Sequence, residues 1–224
     1  MIRRDYLLRM IEEFIQAMAR IHSFKQAQLW NETSEAIAAE VKRLLGDDLH
    51  RVAQLSETEL LTRLMQDGPT QVVRDKTLML TTLLREAGDV AVAENPEAES
   101  CACYLKALHL LLNILAREGA SDCPEFVPKV GMLRAALQGT PLPFGTQMML
   151  MQHYERTGEF ARAEDALFAL IEAEPGNDRL LEFGMAFYQR LLQQSDDALS
   201  LGELPRAEVE QAVKELQARL NANR

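Results

Sequence analysis

The amino-acid sequence predicts an all-α protein of about nine or ten antiparallel helices. Three observations carry this expectation. Apolar residues recur at three- and four-residue steps along nearly the whole chain, and the two-residue alternation of strands is almost absent. Leu, Ala, Met, Glu and Gln, all good helix formers, fill the periodic stretches. Most of the 8 prolines fall where the apolar period stops or restarts.

The elements follow in order. Leu7, Ile11, Phe14, Met18 and Ile21 form one stripe of a first helix, with Arg4, Glu12, Glu13, Gln16 and Arg20 mostly outside it. A second helix ends through Val41, Leu44 and Leu45 near Gly46. Ser56-Glu57-Thr58-Glu59 has the capping-box pattern ahead of Leu60, Leu61 and Leu64. After a break at Gly68-Pro69, a long helical pattern runs from about Gln71 to Ala93. Pro96, Pro124, Pro141, Pro143, Pro175 and Pro205 mark later boundaries, as do Gly119, Gly139, Gly158, Gly176 and Gly202. Pro128, four residues after Pro124, requires a late helix start or a kink. A final helix spans about Pro205–Leu220, with Val209, Ala212, Val213 and Leu216 inward and the pairs Glu210–Lys214 and Glu215–Arg219 outward.

With 224 residues, the chain fits one elongated all-helical domain covering 1–224. Its formal charge is −10, from 24 basic and 34 acidic residues. That balance argues against nucleic acid or an anionic membrane surface as partner, since phosphate contacts need clustered Lys and Arg. Residues 151–224 carry −6 of the charge without any polyacidic run, as expected of solvated helix faces. Cys101, Cys103 and Cys123 are too few and odd in number for a disulfide framework, and read as reduced thiols. Arg9, Glu12 and Glu13 interrupt the first apolar run too early for a signal peptide, and no stretch reaches the length of a membrane span. A cytoplasmic location is the expectation.

Internal similarity separates a solenoid from a plain bundle. Residues 144–177 read FGTQMMLMQHYERTGEFARAEDALFALIEAEPGN and resemble a tetratricopeptide repeat (TPR). Leu150, Tyr154, Gly158, Phe160, Ala163 and Pro175 occupy the motif positions. Met151 stands where Gly or Ala is usual, and Gln147 replaces the motif Trp. A degenerate copy over 81–114 has Leu84, Ala87, Gly88, Ala91, Tyr104, Ala107 and Leu108, with Asn95-Pro96 instead of a turn glycine and Ser100 in place of the small Ala. A third frame starts at Asn177 with Leu180, Phe183, Gly184 and Phe187. Its second helix is displaced by an insertion around Ser195–Gly202, so 178–224 forms an incomplete repeat and a capping helix, and 1–70 an N-terminal helical segment. A further match around Trp30–Leu45 is too degenerate to assign. The whole chain also resembles an uncharacterised bacterial family whose members begin with an M-I-x-R-D-Y-L helix, here Met1-Ile2-Arg3-Arg4-Asp5-Tyr6-Leu7. That resemblance implies no activity.

Nothing in the sequence reads as catalytic, cofactor-binding or metal-binding. His22, His50, His109 and His153 lack ligand spacing, and no phosphate loop, HExxH or GxSxG occurs. His109, within Leu108–Leu112, reads as a partly buried histidine. Adjacent carboxylates such as Glu12-Glu13, Asp47-Asp48, Glu164-Asp165 and Asp196-Asp197 diverge around a helix or sit in a turn. In the Met148, Met149 and Met151 cluster, Met151 reads as core and Met148 as either core or groove.

The TPR resemblance implies that the helices stack as an α-α superhelix, a TPR-like helical repeat array, with a concave groove lined by the first helix of each repeat. Its candidate residues are Arg85 and Asp89, then Met148, Gln152 and Glu155, then Leu181, Met185 and Tyr188. The Lys and Asn of a carboxylate clamp are missing from them. The function expected is a non-catalytic scaffold that holds a protein or peptide partner. The alternative is a homo-oligomer built through the amphipathic first helix. A weaker one is an enzyme or small-ligand binder with a pocket inside the superhelix, for which His109 and Glu155 are the residues to mutate.

Overall fold

The computed structural model describes residues 2–66, 70–94, 97–118 and 123–222. Among them the only regular structure is helical, in twelve helices. The boundaries expected at Gly68-Pro69, Asn95-Pro96 and Gly119 lie outside the described residues. The contacts divide the chain into two compact units, 1–141 and 142–224.

The N-terminal unit holds α1 (Ile2–Gln26), α2 (Trp30–Leu45), α3 (Leu49–Gln54), α4 (Glu57–Met65), α5 (Thr70–Glu94), α6 (Glu97–Glu118) and α7 (Val130–Ala136). Its central element is α5, which packs on α6, α2 and α4. Leu78–Leu84 of α5 are all buried, so the helix is apolar nearly all round, as an internal helix must be. Thr81 and Thr82 fit that interior because their hydroxyls donate to the carbonyls of Thr77 (2.8 Å) and Leu78 (3.0 Å) one turn earlier. Because nothing breaks the helix there, the repeat frame starting at Thr81 begins in mid-helix rather than at a helix start. Helix α1 buries Phe14, Met18 and Ile21 of the predicted stripe, while Leu7 and Ile11 are half-buried. Gly46 ends α2 in the left-handed region (φ +68°), a conformation glycine adopts without a Cβ penalty. The Ser56 box opens α4 as predicted. Ser56 Oγ accepts from the Glu59 N–H, and the Ser56 N–H donates to Glu59 Oε2 at 2.8 Å. The Ser56 hydroxyl, donating to Glu59 Oε2 at 2.7 Å, and then the Ser56 N–H hold the Glu59 carboxyl below its usual range. Pro128 is explained by a late start, since α7 begins only at Val130.

The C-terminal unit holds α8 (Phe144–Thr157), α9 (Phe160–Ala173), α10 (Asp178–Leu191), α11 (Asp196–Leu201) and α12 (Arg206–Ala222). Helices α8 and α9 form one hairpin, α10 and α12 another, and α9 also meets α10. Ala163 is fully buried, so no side chain holds the helices apart there. Helix α12 buries Val209, Ala212 and Leu216, as its period predicts, and Leu220 as well. Val213 is only half-buried. The count of twelve exceeds the expected nine or ten because α3 and α11 have 6 residues each, too short to display a period of 3.6.

Candidate partner-binding surface

Arg85 and Asp89 lie one turn apart on α5 and pair with each other, Nη2 to Oδ2 at 2.9 Å. They belong to a larger ionic network that spans three helices. Lys25 of α1 donates to Glu86 Oε2 at 2.7 Å and also to Asp89. Arg85 pairs with Glu86, and Tyr104 of α6 donates its hydroxyl to Asp89 Oδ1 at 2.7 Å. His22 Nε2 lies 3.4 Å from Glu86 Oε1. The Glu86 side chain is 0% exposed, so its charge depends on these cations for the solvation that water no longer supplies. Burial first, then the bond to Asp89, pushes the Tyr104 phenol up, which keeps it a hydrogen-bond donor. Arg85 and Asp89 are thus committed to joining α1, α5 and α6.

On α8, Met148, Gln152 and Glu155 share a face, and Phe144 precedes Met148 by four residues on the same side. Phe144 is 42% exposed, Gln152 is exposed and Met148 is half-buried. Glu155 accepts two bonds from the Arg190 guanidinium of α10, at 2.6 and 2.9 Å. This fork raises the Arg190 pKa and ties the α8 face to α10. Met185 of α10 remains half-buried, while Met151 is fully buried, in the core as expected.

Leu181 and Tyr188 correct the sequence reading. They were expected to line an open groove, but they are 4% and 0% exposed. With Gly184 they occupy one stripe of α10, at i, i+3 and i+7. A Cβ at Gly184 would sit 3.0 Å from Leu216 Cδ1 of α12 and 3.3 Å from Leu167 Cδ2 of α9. That stripe is therefore covered by the protein's own helices. The Tyr188 hydroxyl donates to Glu164 Oε1 of α9 at 2.6 Å. Burial raises the Glu164 carboxyl, the Tyr188 bond opposes that rise, and Glu208, Asp165 and Glu215 add to it.

His109 and His153 are both held below the usual imidazole range, chiefly by burial, so they are neutral at pH 7. Among the described residues no group of three or more His, Cys, Asp or Glu could hold a metal ion, and no helix is long and apolar enough to cross a membrane. Sequence reasoning missed Lys25, Glu86 and the Glu155–Arg190 fork. Glu86 left a trace. It falls on the apolar stripe of Met79, Leu83 and Val90, where a charge demands a partner. The fork had none, because two charges 35 residues apart in sequence carry no periodic signal.

A family of unknown function, DUF6483, has a sequence model that matches residues 1–221. The chain belongs to that family. No curated protein and no solved structure matched it. Membership covers both units and agrees with the likeness to an uncharacterised family noted from the N-terminal motif.

Proposed function

We propose that the chain is a non-catalytic, TPR-like scaffold whose C-terminal unit holds a protein or peptide segment against the Phe144–Met148–Gln152 face of α8. The observation that carries this reading is the repeat length. Helix α8 begins at Phe144, its hairpin partner α9 follows after two residues, and α10 begins 34 residues after α8. That is the period of a tetratricopeptide array. The α8 face combines an exposed aromatic, an adaptable methionine and a free amide, which suits an apolar helix face or extended segment. The acidic surface disfavours nucleic acid. The three cysteines, none of them in a disulfide among the described residues, support a reducing, cytoplasmic setting in a bacterial cell.

The test is co-purification of a tagged chain from its native cells, comparing the wild type with Phe144→Glu/Met148→Glu. A partner recovered with the wild type and lost with the variant supports the scaffold. Identical protein profiles for the two contradict it.

One observation favours a second reading, self-association through α1. Leu8 and Ile15, seven residues apart on one side of α1, are 50% and 54% exposed, and Tyr6 is 56% exposed. Light scattering that gives a 25.3 kDa monomer at high concentration sinks this alternative.

A further inference from the structure

A cavity of about 360 Å³ opens within the N-terminal unit, between α2, α3, α5 and α6. It is large enough for a small organic ligand, at the lower end of the usual range. Its wall owes its shape to small side chains. Ala38, Ala53, Ala87 and Ala91 leave space that leucines would fill, and Ile37 and Val90 complete an apolar lining. Cys103 also lines the cavity. It is 4% exposed, and its thiol has no hydrogen-bond partner among the described residues. Burial, then the nearby Glu99 carboxylate, holds that thiol up to about 11, so it is neutral and weakly polar at pH 7.

The mouth has the opposite character. Asp48, Glu94 and Glu99 stand around it, with His50 and Ser34, and no Lys or Arg is among the lining residues. Asp48 meets Lys42 at 3.3 Å, but both side chains are well exposed. Glu94 and Glu99 have no ion-pair partner among the described residues. An anion entering this mouth meets like charge, and a neutral hydrocarbon leaves the carboxylates without gain. A cation with an apolar body satisfies both zones at once.

We propose that this cavity binds a small organic cation, an ammonium head at Glu94 and Glu99 with a hydrocarbon body lying along Ile37, Val90 and Ala91 toward Cys103. The site lies in a different unit from the α8 face, so it stands or falls independently of the scaffold reading.

The test uses the full chain and n-hexylammonium chloride, titrated by calorimetry, with sodium hexanoate at equal ionic strength as the control. The expected result is one saturable site for hexylammonium and no binding of hexanoate. Glu94→Gln/Glu99→Gln weakens binding by about fivefold, the scale of two exposed charge contacts. Ala91→Leu fills the cavity and abolishes binding. Should that variant fail to fold, Ala53→Leu blocks the same space from α3. Saturating hexylammonium also slows alkylation of Cys103, read by peptide mapping, while Cys101 and Cys123 react at unchanged rates. Equal binding of hexanoate, unchanged affinity in the double Gln variant, absence of saturable heat or no protection of Cys103 each overturns the proposal.

Discussion

Gly88 and Gly184 both sit inside continuous helices, where only proline is less favoured than glycine, yet the structure assigns them unequal roles. A Cβ at Gly88 would lie 2.6 Å from Tyr104 Cε1, and the Tyr104 ring cannot swing away while its hydroxyl holds Asp89. At Gly184 the neighbours are the methyl ends of Leu216 and Leu167, at 3.0 and 3.3 Å, which can rotate. Alanine in a helix gains up to about 1 kcal/mol over glycine. Overpacking costs about 1–3 kcal/mol. Gly88→Ala is therefore expected to destabilise by about 1–2 kcal/mol in urea unfolding, whereas Gly184→Ala stays within about 0.5 kcal/mol of the parent. Glu164 offers a pH test at the same scale. Its folded pKa is raised, so the protonated form favours folding, and this contribution is lost as pH rises through the folded pKa. Glu164→Gln keeps an acceptor for Tyr188 and removes repulsion from Glu208, Asp165 and Glu215. Its expected gain is about 0.5 kcal/mol at pH 7, shrinking toward zero below the ordinary carboxylate pKa. Equal gains at pH 7 and pH 3.5 would contradict this assignment.

At the scale of elements, the ionic network is the main tie between α1 and α5 other than apolar packing. Replacing Lys25 with Met leaves Glu86 buried with Arg85 as its close partner, at an expected cost of about 2–3 kcal/mol. Glu86→Gln leaves Lys25 and Arg85 with Asp89, so its cost is smaller, and the order of the two midpoints in urea checks the account. Ser56→Ala removes the hydroxyl that closes the α4 box and costs about 1 kcal/mol. The long helices were legible in the sequence because each has enough turns to show a buried stripe, as with Phe14, Met18 and Ile21. The capping box was legible because its bonds are local. What stayed hidden depends on tertiary neighbours. Leu181 and Tyr188 look like groove residues until α12 is seen to cover them, and Arg85 and Asp89 look free until Lys25 arrives from a helix more than 60 residues away in sequence. Periodicity shows which side of a helix is apolar, and cannot show which helix lies against it.

At the scale of the molecule, the 83 residues of the C-terminal unit enclose their own core, including Leu150, Leu167, Phe187, Tyr188 and Leu216. Expressed as residues 142–224, this unit is expected to be helical and to melt cooperatively. A non-cooperative melt would show that it depends on residues 1–141. The contacts divide the chain into two compact units, and the all-α class holds throughout the described residues. The central claim is that the α8 face meets a partner. Its most direct test is site-specific photo-crosslinking in native cells, with the photoreactive residue at Met148 and, as control, at Glu172, an exposed position on α9. The account predicts one discrete crosslinked protein band from position 148 and none from 172. No band from 148, or the same band from both positions, would contradict it.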